Sequence, residues 1–144
     1  MKKGFTLLEL VVVIIILGVL ATLGIQQYAR MIEKARGAEA KTVIGTIRSA
    51  AAGYRLQNGV LNGTTPFTTA LAGIGTSTDQ IPSSCRTTHY FSYAVSSPTA
   101  DGITITATRC TAGGKTPNNS AAGTMVLTTD FGTGSDVWTG TGGY

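Results

Sequence analysis

Lys2-Lys3-Gly4, then Phe5-Thr6-Leu7-Leu8-Glu9, then Leu10 to Ile25, then Gln26-Gln27-Tyr28: this opening stretch decides how the rest of the chain is read. From Leu10 to Ile25 there is no charge, and Thr22 is the only hydroxyl. Counted from Phe5 the run is about 21 residues, roughly 31 Å as a helix, which is enough to cross the hydrocarbon layer of a bilayer. One carboxylate, Glu9, lies inside it, a single turn from Phe5. An ionisable group in a membrane segment costs about 2.5–3.5 kcal/mol at mid-bilayer, so Glu9 is a functional candidate by default. Lys2 and Lys3 precede the run and mark its cytoplasmic side. A signal peptide fits less well: its apolar core is about 7–15 residues, a Glu weakens it, and no Ala-x-Ala cleavage site follows.

Beyond Ile25 the helical period continues. Tyr28, Met31/Ile32, Ala35, Ala38/Glu39, Val43, Ile47, Ala50/Ala51 and Tyr54 recur at steps of three and four. Arg30, Glu33, Lys34, Lys41, Arg48 and Arg55 fall mostly on other faces. Asn58-Gly59 supplies a stop, with Gly59 able to take a left-handed cap. The spacing therefore predicts one helix from about Phe5 to Leu56, about 78 Å long. A small protein cannot bury the first half of such a helix against its own head, so that half must find lipid or other copies of itself. Gly37, Gly45 and Gly53 each cost about 1 kcal/mol relative to Ala in a helix. Two readings explain them: packing against neighbouring helices, or close docking on the chain's own head.

The remainder reads as a small β domain. His89–Val95, Ile103–Thr108 and Met125–Thr129 are strand candidates, and Ile103, Ile105 and Ala107 alternate onto one buried face. Ser97–Gly102 reads as the turn between the first two. Residues 59–84 are a connection in which Pro66–Leu71 is a short helix or turn. The Gly-rich tail after Asp130 has Trp138 as its anchor on the head core. The fold class is α+β: residues 1–4 lead, 5–25 span, 26–57 form the amphipathic half of the helix, and 58–144 form an antiparallel head.

Charged residues are 12% of the chain, with 19 glycines and a formal charge of +4, which suits an exported, loop-rich domain better than a cytosolic enzyme. The cations crowd the stem, which could face phospholipid head groups or acidic surfaces of neighbours. No catalytic constellation is evident. His89 is the one histidine and has no nucleophile motif with it. There is no Cys/His cluster of metal-ligand spacing and no phosphate-binding loop.

Gly4-Phe5-Thr6-Leu7-Leu8-Glu9-Leu10-Val11 resembles the prepilin leader motif of type IV pilins and of the pseudopilins of type II secretion and DNA-uptake systems. The resemblance covers roughly residues 1–55. It implies that a prepilin peptidase cuts between Gly4 and Phe5 and methylates the amine of Phe5. It also implies that Glu9 pairs with the Phe5 amine of a neighbouring subunit during assembly, and Tyr28 matches the tyrosine common at the end of the run. Gln26 stands where many members carry a proline, so the kink a proline imposes is absent and Gly18 and Gly24 are the weak points of the span. The implied partners are further copies of the chain in a helical filament, the peptidase, an inner-membrane assembly platform, and lipid before assembly. The implied location is the bacterial inner membrane, single pass with the head outside, and then an extracellular pilus.

In an exported domain the two cysteines, Cys85 and Cys110, read as one disulfide, the other reading being two separate buried thiols. Cys85 and Cys110 flank the predicted hairpin at its open end, where a bridge would clamp the strands. Major pseudopilins hold calcium in a late loop, and Asp130 and Asp136 are the only candidates here, far short of a ligand set of six to eight oxygens. No cofactor is expected. The bridged head and the lack of a calcium pattern favour a pilus subunit over a pseudopilin. Two further readings are binding of DNA or surfaces through Arg86 and Arg109, which lie beside the cysteines, and electron conduction through Phe5, Tyr28 and Tyr54. Two cations are few for phosphate contacts, and the aromatics stand at spacings that packing explains.

Overall fold

The computed structural model describes residues 4–63, 67, 81–96, 99–118, 122–142 and 144. One long helix, α1 (Leu7–Asn58), is followed by four strands: β1 (Phe91–Ser96), β2 (Gly102–Arg109), β3 (Thr124–Asp130) and β4 (Ser135–Gly140). The chain divides into two compact units, Met1–Ala35 and Arg36–Tyr144. Each is described by itself below.

In the first unit the helix starts at Leu7 rather than at Phe5. Thr6 is its N-cap. The Thr6 hydroxyl accepts from the Glu9 backbone N–H at 3.3 Å, and Glu9 Oε2 accepts from the Thr6 backbone N–H at 3.0 Å. This reciprocal pair is a capping box, which satisfies two of the donors that every helix start leaves orphaned. Its signature, Thr-x-x-Glu ahead of an apolar run, is in the sequence; it moves the boundary by two residues because Thr6 must leave helical geometry to act as a cap.

Within the second unit α1 continues to Asn58, two residues past the expected end. Gly59 stops it with φ of 82°, its N–H donating to the Arg55 carbonyl at 2.7 Å. The left-handed region is open to glycine at no steric cost, so the predicted stop is the real one. The buried stripe of this half is Gly37, Ala40, Ile44, Ile47 and Ala51, a clean three-four-three-four spacing. The expected stripe was partly misplaced: Ala38 is exposed, and Ala40 and Ile44, which it omitted, are fully buried. Alanine and glycine carry too little hydropathy contrast to fix the phase of a helix face, whereas the sheet's shape does.

The sheet is an antiparallel meander in the order β1-β2-β3-β4. Phe91 pairs with Arg109, Ile105 with both Val95 and Leu127, and Leu127 with Trp138. One face carries Phe91, Tyr93, Ile103, Ile105, Ala107, Met125 and Leu127, all buried together with Ile44, Ile47, Leu61 and Phe67 in one core. Each such large side chain contributes about 1.5–3 kcal/mol by leaving water. The alternation read at Ile103, Ile105 and Ala107 is the observed one, since period-two patterning fixes which face is buried.

Three expectations change here. The first strand starts at Phe91, not His89, because His89 and Tyr90 are used in the loop: their carbonyls accept from Lys115 and Cys110 at 2.8 and 2.9 Å. A fourth strand, β4, occupies the Gly-rich tail, for which the sequence predicts no strand. All six of its residues are exposed, so no buried alternation marked it; pairing with β3 makes it a strand. Trp138 therefore does not anchor the tail in the core: it is 47% exposed. Tyr144 does that instead, its ring edge-on to Phe91 at 5.3 Å between centroids. Of the Pro66–Leu71 segment only Phe67 is described, fully buried against Tyr54 with ring centroids 5.7 Å apart; the rest, and Ser97-Pro98 of the predicted turn, lie outside the described residues.

Candidate functional site

The residues singled out by the sequence lie at the start of the chain and in the head. Phe5 is 85% exposed, and the apolar side chains from Leu7 to Ile25 are exposed throughout. α1 contains a span long and apolar enough to cross a membrane, with none of it buried. Exposure of this much contiguous apolar surface is far beyond what a monomer leaves in water. It calls for lipid or protein on every side.

Glu9 sits one turn into that surface, and the structure gives its carboxylate a local role. Besides the Thr6 amide, the Thr6 hydroxyl donates to Glu9 Oε2 at 2.9 Å. A carboxylate near a helix N-terminus also meets the positive end of the helix dipole. Thr6 was not among the sequence-predicted site residues, although the capping-box spacing pointed to it. Gly4, next to the predicted cleavage bond, has open space around the position a Cβ would take.

In the head, Cys85 and Cys110 form a disulfide with Cα atoms 5.7 Å apart. It lies at the open end of the β1–β2 hairpin, next to the Phe91–Arg109 pair. More than clamping the two strands, it gathers the loops on either side: the Arg86 carbonyl accepts from the His89 amide within one, and the His89 carbonyl accepts from the Lys115 amide of the other.

Arg109 is only 1% exposed. Its guanidinium donates to the carbonyls of Tyr90, Cys110 and Pro117 at 3.1, 3.3 and 3.0 Å. It also lies over the rings of Tyr90 and Phe91, at 5.1 and 5.7 Å. A buried arginine satisfied by carbonyls is a structural pin, so the reading of Arg109 as a nucleic-acid contact is overturned. The signal was in the alternation, since Arg109 follows Ile103, Ile105 and Ala107 at the same spacing, but the strand expected from sequence ended at Thr108 and the observed one includes Arg109. Arg36 and Lys115 approach the same Tyr90 ring at 5.1 and 4.9 Å, making Tyr90 a shared plate for three cations.

Nor is the stem's charge wholly outward. Arg48 makes a two-pronged pair with Asp136, at 3.1 and 2.9 Å, and Arg55 pairs with Asp101 at 2.6 Å. Glu39 accepts from the Tyr90 amide at 3.2 Å, tying helix to loop. Hydrogen bonding from Arg48 holds the Asp136 carboxyl below its ordinary value. Asp130 Oδ1 accepts from the amides of Gly132 and Thr133 at 2.8 and 3.1 Å, shaping the β3–β4 turn. Both calcium candidates are thus engaged within the fold, and among the described residues no three acidic, histidine or cysteine side chains cluster as metal ligands.

The three helix glycines separate into two kinds. A Cβ on Gly37 would stand 2.9 Å from the Tyr144 ring, so this glycine admits the tail to the helix. At Gly45 and Gly53 a Cβ would meet nothing within 4 Å. Docking on the head explains the first and leaves the other two open.

No solved structure matches the chain. The family model for the prokaryotic N-terminal methylation motif matches residues 1–25. The match covers the opening of the chain, which is similar to the prepilin leader of type IV pilins and pseudopilins; an apolar helix and an antiparallel sheet follow it.

Proposed function

We propose that the chain is a structural subunit of a type IV pilus, made as a prepilin in the bacterial inner membrane, cleaved between Gly4 and Phe5, methylated on Phe5 and polymerised through α1. The observation that carries this reading is the pairing of the methylation motif with a helix whose apolar side chains from Leu7 to Ile25 are exposed. Lipid covers that surface before assembly and like helices cover it afterwards. The peptidase and an inner-membrane assembly platform are the partners that such a route requires.

Glu9 sets the register. In the subunit its carboxylate rests on Thr6. In the filament it meets the Phe5 amine of a neighbour, because either charge alone is expensive in an apolar bundle. The Thr6 cap survives cleavage, since Thr6 keeps its amide N–H, so the acid is already aimed when the amine is released. Pseudopilin function in secretion or DNA uptake is the alternative within the same family. The disulfide-bridged head favours the pilus.

The amino-terminal mass of native material, with electron microscopy of sheared cell surfaces, tests the proposal. Glu9→Ala should still be inserted and cleaved but give no filaments, and normal filaments in that variant refute the register role. A bulky residue at Gly4 should block processing; material beginning at Phe5 in that variant overturns the assigned cleavage site.

A further inference from the structure

The head holds a cleft of about 550 Å³ that nothing above uses. Its walls come from α1, from the ends of β3 and β4, and from the tail, with Lys41, Thr124, Met125, Trp138, Thr141 and Tyr144 among its lining. The volume falls within the range of ligand clefts. We propose that this cleft is a binding site for an acidic saccharide.

Four observations converge. The first is Trp138, the only tryptophan of the chain, which is 47% exposed. It pairs with Leu127 in register and so lies on the helix-facing side of the sheet, yet the core does not cover it. An indole face is electron-rich and packs against the slightly positive C–H face of a sugar ring. The second is firmness. Tyr144 is held by Phe91 on one side and by the missing side chains of Gly37 and Gly123 on the other, where added Cβ atoms would stand 2.9 and 2.5 Å from its ring.

The third is a hydroxyl pair. Thr124 and Thr141 lie with their Oγ1 atoms 3.2 Å apart, and the Thr141 amide donates to the Thr124 carbonyl at 2.8 Å. A hydroxyl has one donor and two acceptor positions, so this pair retains acceptor capacity for vicinal sugar hydroxyls. The fourth is charge. Lys41 makes no ion pair among the described residues, while the described head carboxylates Glu39, Asp101, Asp130 and Asp136 are all engaged. A compact ammonium beside an aromatic plate suits a sugar carboxylate or sulfate. One cation is too few to follow a nucleic-acid backbone, which needs several phosphate contacts.

Trp138 makes the test direct, because its emission reports the cleft with no label. Full-length protein in a non-ionic detergent is titrated with a galacturonic acid trimer, with the neutral galactose trimer, and with a single-stranded oligonucleotide. The readout is the subunit alone, so it is independent of whether filaments form. The acidic trimer should give a saturable change at roughly 1 mM, an affinity expected of one ring stack and one ion pair. The neutral trimer should bind about fivefold more weakly, the worth of one exposed charge pair. Lys41→Gln should remove that difference, and Trp138→Ala should abolish binding of both trimers by calorimetry with circular dichroism unchanged. The proposal is overturned by any of three results: no saturable change up to about 20 mM acidic trimer, equal binding of acidic and neutral trimers by the unaltered protein, or tighter binding of the oligonucleotide.

Discussion

Replacing Gly37, Gly45 and Gly53 by alanine, one at a time, separates what each glycine is for. Alanine is favoured over glycine in a helix by about 1 kcal/mol. At Gly45 and Gly53 the new methyl meets nothing within 4 Å, so the gain should appear undiminished in the isolated subunit. At Gly37 the methyl would stand 2.9 Å from Cδ1 and 3.2 Å from Cβ of Tyr144. Overpacking of this kind costs about 1–3 kcal/mol. Set against the helix gain, Gly37→Ala should be destabilising by roughly 0–2 kcal/mol. Thermal unfolding of full-length protein in detergent, followed by Trp138 emission, reads the difference. For a head of this size Gly45→Ala and Gly53→Ala should raise the midpoint by about 4 °C, and Gly37→Ala should leave or lower it. Filament yield should then move the opposite way for the first two, since their open faces are where a neighbouring helix would approach. If Gly45→Ala lowered the midpoint as Gly37→Ala does, the assignment of Gly45 to an open face would fail. If it raised stability and filaments formed normally, helix packing would not be what keeps the glycine.

Further outcomes follow from the head. Tyr93 is buried and its hydroxyl has no partner among the described residues, so Tyr93→Phe should stabilise by about 1 kcal/mol in urea unfolding. Burial pushes the Tyr93 hydroxyl well above its ordinary value, with the Glu39 charge adding to the shift. The folded value thus exceeds the unfolded one of about 10, so the contribution is complete below pH 10 and is lost as pH rises beyond it. Tyr93→Phe should flatten that alkaline loss. Asp136 has the opposite sign: Arg48 lowers its folded value, so its small, solvent-screened contribution is present above about pH 4 and fades in acid, and Asp136→Asn should remove that dependence. Arg109→Ala removes the guanidinium donors to the Cys110 and Pro117 carbonyls and one of two donors to the Tyr90 carbonyl, and should cost about 3 kcal/mol or more by the same unfolding assay. Replacing both Cys85 and Cys110 by serine should lower stability by about 3 kcal/mol, the loop-closure figure for a separation of 25 residues, and a loss under 1 kcal/mol would count against a constraint on the unfolded chain.

The sequence by itself determined the parts whose physics is local. An uncharged run such as Leu10–Ile25 has to leave water whatever the rest of the chain does, so the span was legible. Gly59 could be read as a stop because only a left-handed residue ends a helix in that way, and Ile103, Ile105 and Ala107 could be assigned to a face because a strand alternates strictly. The Thr6–Glu9 box is equally local, since Thr-x-x-Glu ahead of an apolar run is enough to form it. The tertiary structure decided what depends on partners far apart in sequence. β4 exists because β3 pairs with it, since its own side chains are all exposed. Arg109 is a buried pin rather than a surface contact because the loops carrying Tyr90 and Pro117 bring their carbonyls to it. Gly37 admits Tyr144 across more than a hundred residues, and Lys41 meets Trp138 at one cleft; no window along the chain contains either pair. Hydropathy and backbone propensity are properties of a segment, whereas burial, register and cleft formation belong to the pairing of segments, and they arise only when the sheet closes on the helix.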